Sequence, residues 1–85
     1  MTSHYSIKVA ALNTAADSRK LGVQIGRLCI SKNVPAVEAA EWMCVTKSTI
    51  YKWFSGEATV SKHLVERAIA YRSYLERDTS NKHSM

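Results

Sequence analysis

Apolar residues recur at helical spacing through most of the chain. Leu21, Ile25, Leu28 and Cys29 form one stripe, which predicts a helix from about residue 15 to residue 32. Val37, Ala40 and Met43 form a second, shorter stripe, with Glu38 and Glu41 turned to water. Ile50, Trp53 and Phe54 follow at i, i+3 and i+4. Leu64, Ala68, Tyr71 and Leu75 make a last stripe, with Val65 and Ile69 beside it, over about 62 to 77. The expectation is an all-α fold, a compact bundle of four to five helices across residues 14–77. Residues 78–85 read as a polar, flexible tail.

Residues 1–13 are ambiguous. Tyr5, Ile7 and Val9 alternate with polar neighbours as in a short strand, yet Val9 to Leu12 also suits the start of a helix. A loosely ordered arm, a strand paired with its copy in a dimer, and an arm laid on a polyanion with Lys8 on phosphate all remain open.

Local punctuation supports the helix boundaries. Thr14-Ala-Ala-Asp17 has capping-box form. Asn33 is suited to a left-handed turn. Pro35 fits the first turn of the second helix, where its missing N–H is no loss. Thr46 and Ser61 are placed to cap the third and last helices. Gly56 stands where the third should stop. Gly22 suggests a close helix contact, whereas nothing in the sequence accounts for Gly26, although each costs roughly 1 kcal/mol of helix propensity.

Charge narrows the partner. The 85 residues carry 12 Lys and Arg against 7 Asp and Glu, a net charge of +5, which favours a polyanion. The third helix sharpens this: Lys47, Ser48, Tyr51, Lys52 and Ser55 share its outer face with no carboxylate among them. A short helix, apolar behind and polar-basic in front, suits the major groove of DNA. No apolar run approaches the ~20 residues of a membrane span, and no helix pairs a basic face with a broad apolar one. The N-terminus lacks a signal-peptide layout. Cys29 and Cys44 read as reduced thiols at small apolar positions, which fits a cytoplasmic protein. His4, His63 and His83 have no partner at useful spacing, and no Gly-rich phosphate loop or metal cluster occurs. Neither an enzyme, a cofactor nor a small-molecule ligand is expected.

The stretch from Ala40 to Gly56 resembles the helix-turn-helix of the Cro and phage-repressor (Xre-like) family. Ala40, Cys44, Val45, Thr46, Ile50, Trp53 and Ser55-Gly56 fill the places of that pattern. The register extends back through Asn33-Val34, Leu28, Ile25 and Leu21-Gly22, and forward from Leu64 to Ile69, covering about two thirds of the chain. The resemblance implies a lambda-repressor-like bundle that binds double-stranded DNA. It places Lys47 and Ser48 on base edges, with Tyr51 and Lys52 one turn later. Thr46, Thr49, Ser55, Lys62 and His63 would take phosphates, and Arg19, Lys20 and Lys32 are weaker candidates. Pro35 and Ala36 stand where the family often has a polar cap and a phosphate-bracing Gln.

One such helix reads only a few base pairs, so a homodimer on a palindromic operator is expected, with half-sites ~34 Å apart. The chain would act as a repressor, by occupying a promoter. Trp42 is unusual for the family and needs cover from the N-terminal segment, the last helix or a second subunit. Trp42, Tyr71, Tyr74 and Leu75 are candidates for a dimer interface. Arg67, Arg72 and Arg77 are expected to be solvated or paired with Glu66 and Glu76. The competing expectation is an antitoxin or accessory protein that uses the same fold to hold another protein.

Overall fold

The computed structural model describes residues 4–83, and their side chains as far as residue 77. The outermost parts of the expected arm and tail lie outside the described residues, as do the side chains of 78–83. Five α-helices follow one another: α1 (Ile7–Ala15), α2 (Leu21–Ser31), α3 (Ala36–Met43), α4 (Lys47–Phe54) and α5 (Val65–His83). A 3-10 turn (Lys62–Leu64) leads directly into α5. The fold is all-α, as the periodicity indicated, and no strand occurs among the described residues.

Helix α2 is the hub, packed against α1, α4 and α5. Val23, Ile25 and Cys29 are fully buried, and Gly22 and Gly26, one turn apart, form a seam for α4. A Cβ on Gly22 would lie 2.7 Å from Trp53 Cβ. On Gly26 it would lie 2.7 Å from Asn13 Nδ2 and 2.8 Å from Phe54 Cγ. Both glycines thus permit backbone contact that any side chain would block, which accounts for Gly26. Ile50, Trp53 and Phe54 fill this seam from α4, and Ala68, Tyr71 and Leu75 close the core from α5.

The first helix differs from expectation. Residues 7–15 are helical, not a strand or a loose arm, and the long helix expected from about 15 to 32 begins only at Leu21. Ser6 caps α1 by accepting the Val9 N–H, at 3.2 Å. Thr14 lies inside α1 and donates its hydroxyl to Ala10 O, so the Thr14–Asp17 capping box does not form. Asp17 instead accepts the Arg19 N–H at 2.9 Å and pairs with the Arg19 guanidinium, which holds its carboxyl below the usual range. Arg27 Nη2 donates to the carbonyls of Asn13, Thr14 and Ala16, drawing together the acceptors at the end of α1, where Asn13 O also takes the Ala16 N–H at 3.2 Å.

The chain before α1 is anchored too. The Tyr5 hydroxyl donates to Val34 O, the Tyr5 ring lies 5.9 Å from that of Phe54, and the His4 N–H donates to Asn33 Oδ1. Asn33 has the expected left-handed backbone, φ 57°, and Val34 N–H closes α2 on Cys29 O at 2.8 Å. Cys44 ends α3 in the same way, with φ 60° and Val45 N–H on Ala40 O. It is exposed there, not buried as its place in the pattern suggested. Val37 is likewise exposed rather than inward-facing. The helical backbone of α5 runs past the expected end near residue 77, to His83. Ser61 makes no side-chain cap; its carbonyl accepts the Leu64 N–H.

Candidate nucleic-acid interface

Helix α4 is held by its back. Ile50 and Phe54 are wholly buried and Trp53 nearly so, which fixes the helix against α2 and α3. Thr46 caps it, accepting the Thr49 N–H at 3.3 Å, as its position foretold. Its front carries Lys47, Ser48, Tyr51 and Lys52, all exposed. No carboxylate occupies the first turn of α4. Lys47 stands at the positive end of the helix dipole, where a cation is unfavourable by a few tenths to about 1 kcal/mol. Neither Lys47 nor Lys52 has a side-chain hydrogen bond or ion pair among the described residues.

The three hydroxyls assigned to phosphate are partly committed. The Thr46 and Thr49 oxygens lie 3.1 Å apart and share one hydroxyl hydrogen, leaving the other to donate outward. Ser55 donates to Lys52 O at 3.3 Å. Lys62 and His63 are exposed on the 3-10 turn, separated from α4 by the loop 55–61.

The other cations divide clearly. Lys20 donates to Gly56 O at 3.0 Å, tying the start of α2 to the turn after α4. Lys32 donates to Leu75 O, and Arg19 pairs with Asp17. Lys20 and Lys32 thus tie separate elements together, whereas Arg19 is 90% exposed and held only in a local surface pair. Arg72 bonds Gln24 Oε1 instead of an acid on α5.

Of the four residues proposed for a dimer interface, two belong to the core. Tyr71 and Leu75 are each 1% exposed, because α5 lays that stripe against the rest of the bundle. Trp42 and Tyr74 reach the surface, and the last helix supplies part of the cover Trp42 needs. Its ring lies 5.0 Å from Tyr71 and 6.1 Å from Tyr74.

One flank of α4 holds a feature the sequence did not suggest. Between α1 and α4 runs a groove of about 420 Å³, lined by Val9, Leu12, Ser48, Tyr51, Lys52, Ser55 and Glu57. The signal that could have found the α1 wall is Ser6, a cap residue ahead of the helix-forming run Ile7-Lys8-Val9-Ala10-Ala11-Leu12.

Set against family models, curated proteins and solved structures, the chain matches none. No helix among the described residues is long and apolar enough to cross a membrane. Nor do three His, Cys, Asp or Glu side chains converge there as a metal site would require.

Proposed function

We propose that this protein is a sequence-specific double-stranded DNA-binding regulator, a Cro-like phage or plasmid repressor that binds a palindromic operator as a homodimer. The observation that carries this reading is the outer face of α4. Lys47, Ser48, Tyr51 and Lys52 stand exposed on a helix whose other side is locked into the core. A Lys at the dipole's unfavourable end, with no acid to offset it, is what an anionic partner would reward. Lys47 and Ser48 meet base edges, a Lys favouring guanine O6 and N7. Lys52 and Tyr51 follow one turn later. Thr46, Thr49, Ser55, Lys62 and His63 take phosphates, which position the helix without reading sequence. The site of action is the cytoplasm, on a bacterial or phage genome.

The test is a mobility shift on sequences selected from random DNA. Lys47→Ala combined with Lys52→Ala abolishes specific binding while the circular dichroism and melting curve stay those of the parent. Undiminished binding by the double variant excludes this use of α4.

A second reading, an antitoxin or accessory protein that mainly holds another protein, is favoured by one observation. Trp42 and Tyr74 are 39% and 47% exposed and adjoin each other. In the DNA-binding reading the same pair offers apolar surface to the second subunit.

A further inference from the structure

We infer that the groove between α1 and α4 seats one sugar–phosphate strand of the bound duplex, so that α1 is a second wall of the DNA interface. This rests on the proposed use of α4. An α-helix with its side chains is ~10–12 Å across and the major groove ~12 Å wide. A helix lying in that groove must have a DNA backbone against each flank. On one flank of α4 the neighbouring element is α1, and the space between them is the groove of about 420 Å³.

Its walls suit a nucleotide backbone. Beside the base-reading Ser48, Tyr51 and Lys52 can turn a hydroxyl and an ammonium toward phosphate oxygens on this flank, and Ser55, whose hydroxyl donates to Lys52 O, lines the same wall. Val9 and Leu12 offer methyl groups to the C–H faces of deoxyribose. Leu12 is 48% exposed although it lies in a helix packed on the core. Lys8 stands one turn before Leu12 on the same face of α1, adding a cation on that side. Glu57 is the single carboxylate among the lining residues and opposes a polyanion, which gives a variant of opposite sign.

The experiment measures affinity and its salt dependence on selected DNA for the full chain carrying Leu12→Glu, Leu12→Lys or Glu57→Gln. Both Leu12 variants alter a half-exposed position and retain the parent's circular dichroism. Leu12→Glu weakens binding ten-fold or more on all sequences alike, leaving the order of base preference intact. Leu12→Lys tightens binding and steepens the slope of log affinity against log salt by about one. Glu57→Gln tightens it severalfold. Ile69→Glu, exposed on α5, is the charge-matched control and binds as the parent does.

If both Leu12 variants bind like the parent while the Lys47 and Lys52 changes still abolish binding, the groove holds no strand and the assignment of α4 stands. An equal loss from Ile69→Glu attributes the effect to net charge and overturns the inference. A parent chain that selects no DNA at all overturns the use of α4 itself, and this inference with it.

Discussion

Among the residues whose side chains are described, Asn13 is the polar one that is buried, 2% exposed, and its amide bridges helices. Nδ2 donates to Phe54 O at 2.7 Å and to Val23 O at 3.2 Å. Phe54 ends α4, so its carbonyl lies among those with no partner inside the helix. Asn13 thus joins α1, α2 and α4 at one point, directly over Gly26. Removing a partner from a buried carbonyl costs about 1–3 kcal/mol. Asn13→Ala is expected to lower the melting temperature by roughly 5–15 °C in a domain this small. Asn13→Asp is expected to be worse, because it turns acceptors toward two carbonyls; urea denaturation checks both. This residue also shows why α1 was obscure in the sequence. Its inward side is Val9, Ala10 and Asn13, and a pattern sought in apolar residues counts the most buried of these as polar. Tyr5, Ile7 and Val9 meanwhile imitate a strand's alternation, although Ile7 is 89% exposed. Ile50, Trp53 and Phe54 were legible because burial and apolarity coincide there.

Helix ends divide into those that side chains announce and those that the backbone settles alone. Thr46, Asn33 and Gly56 are residue types with a local reason to sit where they do. Cys44 is not. It holds φ 60° at the end of α3, a conformation that costs an L-residue with a Cβ roughly 1–2 kcal/mol. Its side chain is exposed and makes only a long Sγ–H contact of 3.9 Å to Glu41 O. Glycine would relieve the strain and lose some of that gain, ~0.4–1 kcal/mol, to the freer unfolded chain. Cys44→Gly is therefore expected to raise stability by about 0.5–1 kcal/mol, seen as a higher urea midpoint with an unchanged slope. Cys44→Val is expected to move the midpoint the other way, since a β-branched side chain fits this backbone least. The break between α1 and α2 was equally hidden. Residues 16–20 contain neither Pro nor Gly, and the turn is held by Arg27 reaching back from α2 to three carbonyls. A contact made across eleven to fourteen residues leaves no mark on local periodicity.

Where the N-terminal segment, α2 and α5 meet, the core encloses three weak acids: Tyr5, Cys29 and Tyr71. Burial pushes the Cys29 thiol up to about 12, and pushes both phenols above their ordinary value of 10.0. The Tyr71 oxygen, fully buried, has no hydrogen bond of ordinary geometry and rests beside the thiol. All three groups stay protonated in the folded protein at pH values where the unfolded chain has begun to ionise. Their contribution to stability is therefore complete below about pH 7.5, where an unfolded thiol of pKa ~8.5 is still mostly protonated. It declines as pH rises from there toward 12, because the unfolded state then binds fewer protons than the folded one. Each such proton sets a slope of about 1.4 kcal/mol per pH unit. The melting temperature is expected to be flat from these groups up to about pH 7.5 and to fall through about 8 to 9, steepening above about 9.5 as the phenols join. Cys29→Ala removes the earliest part, so its decline begins near about pH 9 instead, where unfolded phenols start to ionise. An onset unchanged by Cys29→Ala would mean that the thiol ionises alike in both states. Alkylation gives an independent check at neutral pH: iodoacetamide should label the exposed Cys44 in the native protein, and Cys29 only once urea has opened the bundle.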